Sequence, residues 1–170
     1  EVTFVAGDRG RDGVMALWSI LKNLTLTKLP SLQRHGLIDR SAEVALANDW
    51  KQKIGIRTDD MNNPILSLSG GNQQKVLFAR SLASSAPIVV MDDPMRGVDV
   101  GTKQEAYDMI RQEAEAGRTF LWYSTETDEV IQCDRVFVYR NGLISAELTG
   151  EEITEENILA ASFEMREAAS

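Results

Sequence analysis

Leu68-Ser69-Gly70-Gly71-Asn72-Gln73-Gln74-Lys75 and, a helix length later, Ile88-Val89-Val90-Met91-Asp92-Asp93-Pro94 decide how this chain is read. In the first stretch two glycines let the backbone approach a ligand closely, and Ser69 offers a hydroxyl. Val76, Leu77, Ala79, Arg80 and Ala83 continue with helical spacing, so the glycines sit at a helix start. The free N–H groups and positive dipole end there suit an anion, above all a phosphate. The second stretch is a continuous apolar run, which predicts a buried parallel strand. Its carboxylates fall at the C-terminal end of that strand, where open α/β sheets bind ligands. Taken singly, these stretches are equally an ordinary serine cap and a strand ending at a proline turn. In this order, and followed by Gly97-Val98-Asp99, they form a compound pattern.

Working outward, short β-branched runs alternate with helical periods, which predicts an α/β fold. Val2 to Val5 reads as a short strand, and Gly7 to Gly13 as a loop too rich in Gly and charge for helix or strand. Val14 to Leu29 reads as a helical turn or two, and Ser41 to Ile54 as a helix stopped by Gly55. Further on, Gly101 to Ala116 is a helix closed by Gly117, and Thr119 to Tyr123 a second buried strand. Thr127 to Gln132 is a short helix. Arg135 to Tyr139 and Leu143 to Glu147 flank Asn141-Gly142 as a hairpin, and Glu155 to Met165 is a terminal helix.

With 18 basic and 26 acidic residues among 170, the net charge is −8. That balance argues against nucleic acid and against an anionic membrane surface as partners. A single cysteine, Cys133, excludes an internal disulfide and a Cys-cluster zinc site, and a single histidine, His35, argues against His-rich metal sites and a Ser-His-Asp triad. There is no apolar run of membrane-spanning length and no signal peptide. A start at Glu1 is expected of a piece of something longer. Trp18, Trp50 and Trp122 read as packing residues, Cys133 as a semi-buried structural thiol, and His35 as a solvated loop residue. Lys75 could reach a phosphate or lie on an exposed helix face. Asp8, Arg9, Arg11 and Asp12 could form ion pairs on their loop.

These motifs resemble the C-terminal part of an ABC-transporter ATPase, and more narrowly the second ATPase half of tandem importers of the ribose, galactose and xylose type. Leu68 to Lys75 is similar to the family signature in its sugar-importer form. Ile88 to Pro94 resembles the Walker B strand, Arg96 to Gly101 the D-loop and helix start, Val5 to Gly13 the Q-loop region, and Leu121 to Val130 the switch region. The resemblance implies a partial P-loop NTPase domain of mainly parallel sheet with flanking helices plus a helical lobe. The expected division is a Q-loop remnant and helical signature subdomain over 1–84, then a core with C-terminal hairpin and helix over 85–170.

The resemblance further implies ATP and Mg²⁺ as cofactors. Two ATPase domains of the family sandwich ATP head to tail. Ser69, Gly70, Gly71 and Asn72 would then form the turn that meets the γ-phosphate of ATP bound on a partner domain. Asp92 would hold Mg²⁺ for the chain's own site, and Asp99 would lie at the dimer seam. Expected partners are that second ATPase domain and membrane permease subunits, with a periplasmic sugar-binding protein acting indirectly. The expected location is peripheral, at the cytoplasmic face of the inner membrane.

One missing motif and three positions depart from the pattern. No G-x-x-x-x-G-K-[ST] occurs, so the main phosphate cradle is absent. Asp93 stands where the family has a water-polarising Glu, Thr125 at the switch histidine, and Gly7 at the Q-loop Gln or Glu. All fall in the chain's own ATP site, whereas the signature is intact. An asymmetric pair is therefore expected: a working signature given in trans and a degenerate own site. The alternative is a non-catalytic module that contributes signature and permease contacts without hydrolysis. A superfamily member acting on DNA or ribosomes fits less well, given the sugar-type Asn-Gln-Gln-Lys and the charge.

Overall fold

A computed structural model describes residues 1–96 and 98–163. The first elements are β1 (Val2–Val5), α1 (Ile20–Thr25), β2 (Gln33–Arg34), β3 (Leu37–Ile38), α2 (Arg40–Lys53) and α3 (Gly70–Ala83). There follow β4 (Ile88–Asp92), α4 (Val100–Glu115), β5 (Thr119–Tyr123), α5 (Thr127–Val130), β6 (Arg135–Arg140), β7 (Leu143–Thr149) and α6 (Glu155–Phe163). β4 lies in the middle of a three-stranded parallel sheet, with Thr3 and Phe120 on either side of Val89. Parallel neighbours need long crossovers. The segment ending in α3 supplies the one from β1 to β4, and α4 the one from β4 to β5.

Among the described residues of the first unit, one face of the sheet is packed against a core. Val5, Val89 and Met91 are fully buried in a core shared with Val76, Leu77 and Ala79 of α3. On the other face Val2, Phe4, Leu121 and Tyr123 are each at least 50% exposed. The apolar run of β4 predicts burial on both faces, yet Ile88 and Val90 are only half-buried. β5 likewise departs from the expected buried strand, because Leu121 and Tyr123 face outward and are exposed.

Around α1 and α2 a helical lobe buries Ile20, Leu21, Leu24, Trp50, Ile54 and Ile65 in the same core. Asn23 is fully buried and fixes the preceding loop: its amide oxygen accepts from the Met15 N–H at 2.7 Å, and its amide nitrogen donates to the Met15 and Ser19 carbonyls. Gly7 to Gly13 is not an open loop. Asp8 caps a wide helical turn over Arg9–Gly13, its carboxylate accepting from the Gly10 and Arg11 N–H groups, and Val14 N–H closes the turn on the Arg9 carbonyl at 2.9 Å. His35 and Gly36 both take positive φ, and so make the two-residue turn of the β2–β3 hairpin.

Two compact units are present, Glu1–Tyr123 and Ser124–Ser170. In the first unit β1 and β4 pair in one parallel sheet. In the second unit β6 and β7 form the expected hairpin, with Asn141 and Gly142 at φ 49° and 79° as its tight turn requires. Ile158 of α6 packs on Val136 and Val138. The terminal helix is seen to Phe163, and its expected last residues lie outside the described ones. No helix among the described residues is long and apolar enough to cross a membrane.

Candidate functional site

Ser69 is the N-cap of α3. Its hydroxyl oxygen accepts from the Asn72 N–H at 3.4 Å and from the Asn72 side-chain amide at 3.0 Å. The Asn72 amide oxygen in turn accepts from the Arg57 N–H at 2.8 Å, so this side chain ties the turn to the loop before it. Gln73 donates back to the Leu68 carbonyl at 2.9 Å. Gly70 and Gly71, both half-buried, are the first two residues of the helix, where backbone N–H groups and the positive dipole end suit an anion. A Cβ on Gly71 would lie 3.2 Å from an oxygen of Asp99 and 3.5 Å from the Thr102 hydroxyl. Glycine therefore lets the N-cap of α4 press against the N-terminus of α3. Asp99 caps α4 through the Thr102 N–H at 3.0 Å and the Thr102 hydroxyl at 2.9 Å. These two bonds from Thr102 hold its carboxyl below the usual range, with a smaller contribution from the Lys75 charge.

A second cluster forms where β1 and β4 end. Asp92 is exposed at the last position of β4. Asp93 follows with φ 42°, an uncommon conformation outside glycine, and its N–H bonds to the Tyr123 carbonyl at 2.8 Å. One Asp93 carboxylate oxygen is buried with no hydrogen-bond partner among the described residues. Gly7 lies against the same turn: a Cβ there would come closer than 3.0 Å to the Asp92 carbonyl oxygen. The structure thus brings Gly7, Asp92 and Asp93 together, and separately Ser69, Gly70, Gly71, Asn72 and Asp99. Thr125 belongs to the second unit, just before α5.

Lys75 takes neither expected role. It is buried, pairs with Glu105 of α4 and donates to the Gly55 carbonyl at 3.3 Å. Of the charged loop residues only Arg11 and Asp12 pair with each other, at 3.7 Å in the open. Arg9 instead donates to the Arg96 carbonyl at 2.9 Å. Nothing in the sequence near Arg9 signals that contact, since its partner is 87 positions away. Trp50 and Trp122 pack as expected, Trp122 tilted against Tyr107 at 5.6 Å between ring centres. Cys133 is half-buried, and burial, aided by the Asp134 charge, pushes its thiol up to about 11.

A family model described as ABC transporter matches residues 14–96. The ribose import ATP-binding protein RbsA 1 of Mesorhizobium japonicum is 42% identical over 162 residues, which cover 95% of this chain and 32% of the relative. The chain is part of an ABC transporter ATPase domain. The L-arabinose transport ATP-binding protein AraG of Geobacillus stearothermophilus is 35% identical over 93% of this chain and 31% of its own length. The chain therefore spans about a third of the length of these curated relatives. Among solved structures, a dimeric post-hydrolysis state of the ATP-binding cassette MJ0796, bound to ADP and Pi, superposes with a TM-score of 0.75. It covers 88% of this chain and 62% of the cassette at 22% identity, and so shows the fold of an ABC ATPase: helices around a parallel sheet.

Proposed function

We propose that this chain is the later part of an ATPase subunit that powers carbohydrate import, and that it presents its signature turn to ATP held on a partner ATPase domain. The observation that carries the reading is the Ser69–Asn72 turn: a capped helix start with two glycines, pressed against the Asp99 cap of the following helix. The names of the sugar-import relatives supply the substrate class. Ser69, Gly71 and Asn72 would meet the γ-phosphate, with Asp99 at the seam between domains.

ATP and Mg²⁺ are the cofactors of this reading, and the residues fit the metal part of it. The exposed Asp92 carboxylate and the orphaned Asp93 oxygen suit a hydrated Mg²⁺, which takes one or two carboxylates and completes its shell with water and phosphate oxygens. No group of three or more metal-binding side chains exists among the described residues, so the cation would arrive with the nucleotide. The own site is degenerate in this reading. Gly7 brings no side chain, Asp93 is a methylene shorter than Glu, and Thr125 replaces a histidine. A displacement of about 1 Å in a positioning group can cost on the order of 100-fold in rate.

Permease subunits would dock on the helical lobe, where Trp18, Leu29 and Ile38 line an open groove of about 360 Å³ edged by Lys22, Arg40 and Glu43. In this reading the subunit lies at the cytoplasmic face of the inner membrane, with the periplasmic sugar-binding protein acting only through the permease. In the full-length tandem protein, replacing each P-loop lysine in turn tests the asymmetry. Unequal losses of turnover are expected, and equal losses overturn it. The isolated chain should bind no ATP at micromolar nucleotide, whereas tight binding would show a phosphate site that the sequence lacks.

A further inference from the structure

The Arg9 side chain stands between the two clusters. Its Nη1 donates to the Arg96 carbonyl at 2.9 Å, in the turn that follows Asp92-Asp93-Pro94. Its Nη2 lies 3.1 Å from the point where a Cβ on Gly70 would be, with the guanidinium carbon at 3.7 Å. The guanidinium therefore packs against the first residue of α3, which has no side chain to hold it off. Its own backbone is fixed as well, since the Arg9 carbonyl closes the Asp8-capped turn. Two residues earlier, Gly7 is seated on the Asp92 carbonyl.

The stretch Gly7–Arg9 thus touches the carboxylate turn through its backbone and the signature turn through one side chain. A cation beside a helix N-terminus opposes the helix dipole, so the contact is not maintained by favourable local charge. Geometry maintains it: a planar fork of donors with one arm on a carbonyl and the other against a glycine, which the single ammonium of lysine cannot do.

We infer that Arg9 is a positioning residue that locks the Ser69–Asn72 turn to the Asp93–Arg96 turn, so that the surface offered to the partner's nucleotide and the chain's own carboxylates move as one piece. The inference rests on the ATPase reading for its catalytic consequence, but not for the mechanical link. Arg9→Met keeps most of the stem and removes the donors. Hydrogen exchange on the 170-residue chain reads the link directly. In Arg9→Met the amides of Gln73, Arg96 and Val98 should exchange about tenfold faster, the loss expected of one charge-assisted hydrogen bond. Those of Val76 to Leu82 should be unchanged. Acceleration at one turn only, or at neither, overturns the link whatever the protein does with ATP.

A second measurement uses Gly70. Gly70→Ala should change the melting temperature clearly less favourably in the wild-type chain than in an Arg9→Ala background, because the methyl group then has room. Equal changes in both backgrounds overturn the packing argument. In the full-length protein Arg9→Met should lower kcat about tenfold with KM for ATP within about twofold, and Arg9→Lys should recover only part of it. An unchanged kcat, where wild-type turnover is measurable, overturns the catalytic consequence. Absence of wild-type turnover counts against the ATPase reading alone, and the exchange result still decides the link.

Discussion

Replacing Gly7 by alanine sets a methyl group against the backbone of the strand that carries Asp92. The new Cβ would lie closer than 3.0 Å to the Asp92 carbonyl oxygen, 3.2 Å from its carbon and 3.5 Å from the Asp93 carbonyl oxygen. Unstrained carbon contacts lie near ~3.5 Å, so β1 and β4 must separate by roughly 0.5 Å or more at this end. None of the three atoms belongs to a side chain that could swing away. Asp93 is further anchored by its N–H bond to Tyr123, so the displacement strains the ladder on both sides of β4. Overpacking of this kind costs about 1–3 kcal/mol. For a chain of this size each kcal/mol shifts the melting temperature by about 2–4 °C, giving a fall of about 2–12 °C by circular dichroism. Gly10→Ala is the control, since its Cβ would meet only an Asp8 carboxylate oxygen at 3.7 Å. Equal melting temperatures for the two variants would refute the reasoning. The same geometry predicts that Gly7→Gln in the full-length protein restores no hydrolysis, because the added side chain starts from a Cβ that does not fit.

Leu77→Ala, at a fully buried position of α3, should cost about 2–5 kcal/mol, read from the urea midpoint; a loss under 1 kcal/mol would contradict the packing described. Asp99, with its carboxyl held low by Thr102, contributes stability that is fully present above about pH 4, the unfolded value, and is lost as pH falls through the lower folded value. Urea midpoints between pH 2 and 5 should therefore drop less steeply in Asp99→Asn than in the parent chain. The Cys133 thiol, raised to about 11, should alkylate at pH 8 at least tenfold more slowly than the same thiol in urea. Its contribution to stability should decline as pH rises from about 8.5, the unfolded value, through 11.

The helix starts and strand ends were legible because each follows from a few adjacent residues. Ser69 before two glycines, Asp92-Asp93 after four apolar residues, and Asn141-Gly142 between alternating runs are local signals, and all three stand where they are read. Exposure was not legible. Whether Ile88, Leu121 or Tyr123 is covered depends on what lies over the sheet, which no local pattern encodes. The turn after β1 was misjudged for a different reason. Gly and charge in Asp8-Arg9-Gly10-Arg11-Asp12-Gly13 suggest an open loop, whereas a single Asp8 cap closes it into a helical turn. Lys75 and Arg9 were opaque because their partners, Glu105 and Arg96, come from distant parts of the chain.

The half-covered sheet bears on how this protein behaves at the bench. Val2, Phe4, Leu121 and Tyr123 line one open face, and neither β1 nor β5 pairs with a further strand among the described residues. Anything that settles on the folded form and not on the unfolded one raises the apparent stability by mass action. A melting temperature recorded for this chain is then a property of its concentration and its company as well as of its sequence. Dilution, detergent and neighbouring polypeptide become thermodynamic variables, to be stated beside every such value.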